Sequence, residues 1–197
     1  MALSGPYVVL VRHAETEWTR NGRHTGTTDI ELTDAGRRAA VALGPRLRAW
    51  SFGPVLSSPL SRALETCRLS GVAERPQQRD ELVEWDYGDY EGLTTAQIRE
   101  QRPGWDLWHD GAPVGESAAQ VGGRVDRVIA ELAAQQRDSA VFAHGHVLRV
   151  LGARWLGLAP EQGALLALTP GSISVLGYER EQRVLRLWND ESVADAS

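Results

Sequence analysis

Three places in the chain put cationic or imidazole side chains at the ends of short apolar runs. Arg12 and His13 directly follow Tyr7–Val11 (YVVLV), and His144, Gly145 and His146 close and follow Ser139–His144 (SAVFAH). Arg62 comes a few residues after Pro54–Ser58 (PVLSS). If these runs are strands of one sheet, two histidines and Arg12 converge at one edge, and Arg62 reaches that edge from the first turn of the next helix. Such a set suits the dianion of a phosphate monoester, which needs several fixed positive donors. Each residue alone has a plainer reading. A histidine at a strand end is usually a satisfied core or surface residue, and Arg62 reads equally well as a helix-surface charge. His144 and His146 could ligate a metal, although no third histidine or carboxylate lies near them in sequence. The coincidence at three strand exits favours one anion site.

The elements that must position these residues follow from hydrophobic periodicity. The three runs are short and β-branched, as buried strands are, and each leads into a segment with helical spacing. The clearest helix covers about Ser117 to Ala134, with Val121, Val125, Val128, Ile129 and Leu132 on one face and Arg124, Arg127 and Glu131 on the exposed one. Helices are also expected over Thr33–Trp50, bent near Pro45, over Leu60–Leu69 and over Val147–Trp155. Late strands fit Ile173–Tyr178 and Val184–Trp188 around a polar turn. This alternation predicts an α/β fold with a largely parallel central sheet and helices on both faces, a three-layer sandwich. One domain over residues 1–190 and a frayed tail from Glu191 to Ser197 are expected. Thr16–Leu32 and Glu84–Glu116 lack strong periodicity, and loops at the carboxyl ends of strands carry the site in such folds.

Composition narrows the function further. The 197 residues include 42% hydrophobic and 24% charged side chains, which is ordinary for a folded protein and excludes wholesale disorder. All basic residues are arginine, and the net charge is −5, so a general nucleic-acid surface is not expected. A single cysteine, Cys67, rules out an internal disulfide and a cysteine-built zinc site. It fits a reducing, cytoplasmic setting and reads as a buried small hydrophobe. The apolar run near the N-terminus has no basic leader, so no signal peptide is expected. The longest charge-free stretch, Gln162–Tyr178, is interrupted by Pro170 and Gly171 and is not a membrane span.

Four blocks, LVRHAETEW from Leu10, SSPLSRALET from Ser57, EWDYGDYEG from Glu84 and AHGHVLRV from Ala143, resemble the histidine phosphatase superfamily in its phosphoglycerate mutase-like branch. The resemblance runs from Val8 to about Tyr178. The extended block EWDYGDYEGLTTAQI, with WDLWHDGAPVGES after it, is most similar to small bacterial acid phosphatases and sedoheptulose-bisphosphatase-like members. It implies His13 as the nucleophile that becomes phosphohistidine, with Arg12, Arg62 and His144 holding the transferring phosphoryl group. It also implies Glu84 as proton donor, Thr25 and Gly26 as a substrate-contacting turn, and Thr19 where many members have Asn. Gly145 reads either as a point of close backbone approach or as a simple turn glycine. Ala14 stands where the family usually has Gly, and its methyl is expected to crowd the phosphate. A homodimer is common in the family.

The implied chemistry needs neither metal nor other cofactor. A neutral imidazole attacks phosphorus and leaves an N–P bond that water then breaks, so one hard displacement becomes two easier ones. Nearby arginines keep the imidazole unprotonated and neutralise the substrate. Glu84 protonates the departing alkoxide, which requires burial or a nearby phosphate to favour its acid form, and then accepts a proton from water. Two competing readings are a mutase and a non-catalytic phosphate-binding module. Phosphoglycerate mutases carry Arg-His-Tyr after the acidic Glu, whereas Trp85, Asp86 and Tyr87 stand here, which favours hydrolysis of a small phosphorylated substrate. Trp85, Tyr87, Trp105 and Trp108 read as core anchors more readily than as a pocket wall. His24 touches substrate or faces solvent, and His109 faces solvent.

Overall fold

The computed structural model describes residues 6–192. Six strands form one sheet: β1 (Val8–Arg12), β2 (Val55–Ser57), β3 (Gln77–Gln78), β4 (Ser139–Ala143), β5 (Ile173–Glu179) and β6 (Gln182–Asp190). Their spatial order is β3-β2-β4-β1-β5-β6. The first four pair in parallel, while β5 and β6 run antiparallel to their neighbours. Each parallel connection carries helices, as a crossover must.

Successive residues of a strand face opposite sides of the sheet, and two core layers result. Val8, Leu10, Val141 and Ala143 meet helices α6 (Ala118–Ala133) and α7 (Gly145–Trp155) on one face. Val9, Val11, Ala140 and Phe142 meet α2 (Asp34–Leu47) and α3 (Ser61–Leu69) on the other. The fold is the expected three-layer α/β sandwich. Thr33 caps α2 by accepting from the Gly36 N–H at 2.9 Å, and Ser117 caps α6 through a capping box with Gln120. Pro45 lies in the last turn of α2, which ends at Leu47, short of Trp50.

Several readings are refined. Strand β3 is two polar, exposed residues and carries no periodic signal. Strand β6 is longer than Val184–Trp188 because the hairpin turn is only Arg180 and Glu181, with Arg180 at a φ of 55°. Helix α7 starts at Gly145, two residues before Val147, and this brings its free amide groups to the sheet edge. Arg124 is buried, not exposed as expected: three residues from Val121 and four from Val128, it stands at the edge of the apolar face, and its long side chain folds back along α6 toward Glu116. The two aperiodic segments hold only short helices, α1 (Glu17–Arg20) in the first, and α4 (Thr95–Gln101) and α5 (Leu107–Asp110) in the second. They are joined by a bridge between Arg23 and Thr94. Of the tail, Glu191 accepts from Thr169 Oγ1 at 2.7 Å and Ser192 N–H donates to Asp190 at 2.9 Å, while residues 193–197 lie outside the described part.

Cys67 is fully buried, and burial pushes its thiol up to about 12. Among the described residues no helix is long and apolar enough to cross a membrane.

Candidate active site

Strands β1, β2 and β4 end level with one another. The His13 N–H donates to the Ala143 carbonyl and the Ser58 N–H to the Phe142 carbonyl, each at 2.9 Å. His13, Ser58 and His144 therefore leave the sheet side by side, and the His13 and His144 ring centroids are 5.1 Å apart.

The His13 ring is buried, and its Nδ1 lies 2.8 Å from the Ala14 carbonyl oxygen. A carbonyl only accepts, so Nδ1 carries the proton. Burial, reinforced by the charges of Arg62 and Arg12, holds this imidazole well below the ordinary histidine value. The ring is neutral, and Nε2 keeps a free lone pair. That is the state a nucleophile needs.

Arg62 is fully buried at the start of α3. Its Nε–H donates to His144 Nδ1 at 3.1 Å, while its two terminal nitrogens donate to the carbonyls of Thr28 and Gly26, each at 2.9 Å, and of Thr25 at 3.3 Å. Because arginine cannot accept, His144 Nδ1 is the acceptor, and its Nε2–H donates to Ser58 Oγ at 2.7 Å. Burial, followed by the Arg62 charge, keeps His144 neutral as well. Arg62 thus ties the sheet edge to the 25–28 turn. Glu91 holds the same turn from the other side, accepting from the Gly26 N–H at 2.9 and 3.0 Å and from the Thr28 N–H at 3.1 Å. No side chain fits at Gly26, since a Cβ there would sit 2.6 Å from the Trp85 carbonyl oxygen.

Arg12 donates to the Leu168 carbonyl, and its buried Nε has no hydrogen-bond partner among the described residues. The guanidinium lies against Gly145, where a Cβ would come within 3.1 Å of Cζ. Gly145 makes room for Arg12 here, in keeping with a point of close approach.

Glu84 is buried and seated on the N-terminus of α7. Its Oε1 accepts from the Trp85 and Val147 N–H groups at 2.9 Å each, and its Oε2 accepts from the His146 N–H at 3.0 Å. A carboxylate offers about four lone-pair positions, so these donors fix its orientation and leave room for one further proton contact. Arg124 supports the segment from below, donating to the carbonyls of Glu81, Val83 and Glu84 and to both carboxylate oxygens of Glu116. Sequence reasoning missed this role because an arginine at the edge of an apolar helix face reads as exposed.

A cleft of about 180 Å³ opens over these groups. Arg12, His13, Thr19, Thr25 and Glu84 line it, together with Gly22, Arg23, His24, Tyr87 and His146. Arg62, His144, Gly26 and Gly145 do not line it. The Thr19 hydroxyl is engaged locally, donating to the Thr16 carbonyl at 2.9 Å, and the Thr25 hydroxyl donates to Arg23 at 3.2 Å. The Tyr87 hydroxyl and His146 Nδ1 are 2.6 Å apart. Burial pushes the Tyr87 phenol well above its usual range and holds His146 well below its own, so the phenol donates and His146 accepts. The His144–Gly–His146 spacing was the one signal in the sequence for His146. The two rings of that pair serve different partners, and among the described residues no three His, Cys, Asp or Glu side chains are placed to hold a metal ion.

Trp85, Trp105 and Trp108 are buried in the core, as expected of anchors, and His109 lies outside against Asp106. Ala14 does not crowd the cleft. Its side chain is fully buried with Leu32 and Ala40, and its N–H donates to Thr66 Oγ1 at 3.1 Å. A larger cleft of about 440 Å³, lined by Leu47, Trp50, Phe52 and Arg75 among others, contains none of the groups described above.

Residues 8–191 match the family model of the histidine phosphatase superfamily, branch 1. The chain is 42% identical to an acid phosphatase of Mycobacterium tuberculosis over 94% of its length and 93% of the relative's. It is 35% identical to the sedoheptulose 1,7-bisphosphatase of Saccharomyces cerevisiae over 80% of its length and 70% of that protein's. The solved structure of an open reading frame product from Mycobacterium tuberculosis superimposes with a TM-score of 0.89 at 40% identity, covering 94% of this chain and 98% of that one. The chain belongs to the histidine phosphatase superfamily.

Proposed function

We propose that this protein is a metal-independent phosphomonoesterase that hydrolyses small phosphorylated metabolites such as sugar phosphates through a phosphohistidine at His13. The observation that carries the reading is the His13 ring, neutral, with Nδ1 committed to the Ala14 carbonyl and Nε2 free, in a cleft shared with Arg12 and Glu84. His13 Nε2 attacks phosphorus in line, an N–P bond forms, and the ester P–O bond breaks. Glu84 gives its proton to the departing oxygen, then takes one from the water that attacks the phosphohistidine and restores the imidazole. Arg12 supplies positive charge at the phosphoryl oxygens, with the Arg62 guanidinium behind it and the neutral His144 as a positioned imidazole. One charge pair at 4 Å is worth about 4 kcal/mol at an effective dielectric near 20, before desolvation offsets part of it. That is enough for these cations to lower the barrier without a metal ion.

Relatives named acid phosphatase and sedoheptulose 1,7-bisphosphatase support hydrolysis and a phosphorylated sugar as substrate. Trp85 and Tyr87, buried where mutases carry cations, add nothing to retain a bisphosphorylated intermediate. With one cysteine and a net charge of −5, the reading is of a cytoplasmic enzyme whose partner is its small substrate, not nucleic acid or a membrane. The test is phosphate release from p-nitrophenyl phosphate, sugar phosphates and phosphoglycerates in EDTA. Release that survives the chelator supports the reading. Conversion of 3-phosphoglycerate to 2-phosphoglycerate without release would replace it with a mutase.

A further inference from the structure

Beside the phosphate cleft lies a second one, of about 170 Å³, with Thr95, Arg99, Trp105, Asp106 and Trp108 in its wall. His24 and His146 line both clefts and stand between them, with ring centroids 6.2 Å apart. Each ring is braced by aromatic neighbours, His24 against Tyr87 and Trp105, and His146 against Trp108. Burial pushes His24 down to about 4, so both posts are neutral near pH 7.

Resting on the phosphatase reading above, we propose that this second cleft is the subsite for the leaving alcohol and that it takes the hydroxyl-bearing carbon chain of a sugar phosphate longer than glycerol. The direction comes from Glu84. Its Oε2, which accepts from the His146 N–H, lies 3.9 Å from His146 Nδ1. The departing oxygen must meet the Glu84 carboxyl, so the chain attached to it leaves over His146, whose ring lines both clefts. The lining names the chemistry. The exposed edges of the largely buried Trp105 and Trp108 suit C–H faces, while the terminal nitrogens of Arg99 and the Thr95 hydroxyl, which lies 3.3 Å from His24 Nε2, suit hydroxyl groups. Among the described residues Arg99 uses only Nε, on the Trp105 carbonyl at 2.9 Å.

The test compares kcat/KM for phosphates of glycerol, erythrose, ribose and a seven-carbon ketose, with p-nitrophenyl phosphate as a substrate indifferent to the second cleft. The wild type is expected to gain about tenfold from glycerol to the longer sugars, the worth of one or two added hydrogen bonds. Arg99→Ala, which removes the donors on a wall the phosphate cleft does not share, is expected to erase that gain through KM while turnover of glycerol phosphate and p-nitrophenyl phosphate stays within about twofold. Arg99→Lys keeps part of the gain. A flat series in a wild type that hydrolyses p-nitrophenyl phosphate, or an Arg99→Ala series that rises as before, overturns the subsite. A wild type silent on p-nitrophenyl phosphate overturns the phosphatase reading beneath it.

Discussion

The Nε–H of Arg62 donates to Nδ1 of His144 across 3.1 Å, joining the helix after β2 to the exit of β4. This bond sets the His144 tautomer, and the rest of the same guanidinium holds the turn of Thr25, Gly26 and Thr28. One side chain therefore braces both the imidazole behind the phosphate cleft and the turn on its rim.

Arg62→Lys should fail to substitute, because one ammonium cannot copy a fork that reaches an imidazole and three carbonyls. Hydrogen bonds to a charged group contribute about 1.5–3 kcal/mol each, so losing one should lower kcat/KM for p-nitrophenyl phosphate by roughly 10- to 150-fold. Near-wild-type turnover in the lysine variant would remove this bracing role.

Glu84→Gln should discriminate between leaving groups. An alkoxide from a sugar needs the proton and p-nitrophenolate does not, so kcat should fall far more for sugar phosphates than for p-nitrophenyl phosphate. Equal losses across both substrates would take Glu84 out of the donor role.

The histidines make the protein sensitive to acid in two separate ways. His13, His24, His144 and His146 all have values lowered by folding, so the unfolded chain binds protons that the folded chain does not. Their contribution to stability is present in full above the unfolded value of 6.5 and is lost as pH falls toward the folded values, about 4 for His24. The Tm should drop steadily across that window. Activity should behave differently, since His13 stays neutral below 6.5, and kcat/KM for p-nitrophenyl phosphate should persist there while the fold survives. An activity limb at the ordinary histidine value, or a Tm flat over the window, would contradict these assignments.

Ala14→Gly tests whether the residue after the nucleophile restrains the reaction. The Ala14 side chain packs with Leu32 and Ala40, away from the cleft. Removing its methyl should cost about 1 kcal/mol of stability and leave turnover of p-nitrophenyl phosphate within about twofold. A several-fold faster Gly variant would show that the methyl does crowd the phosphate.

Much of the candidate site was legible because its residues stand at the ends of elements with strong periodicity. Arg12, His13 and His144 follow short apolar runs that read as buried strands, and parallel pairing brings those strand ends level. What stayed hidden depends on side-chain reach and helix starts. Arg124 stands at the edge of the apolar face of α6, where an arginine reads as exposed, yet its length carries it under Glu84. Glycine at 145 gave no sign that α7 begins there, so the amides that seat Glu84 could not be foreseen. Tyr87 and His24 come from segments without periodicity, where only tertiary contacts fix which side chains meet the cleft.

The most direct test of the central claim is rapid acid-free quenching of the enzyme during p-nitrophenyl phosphate turnover, followed by mass spectrometry of the phosphorylated peptide. The account predicts a phosphoryl group on His13 that disappears, together with turnover, in His13→Ala. Full turnover in that variant, or a phosphoryl group on another residue, would contradict it.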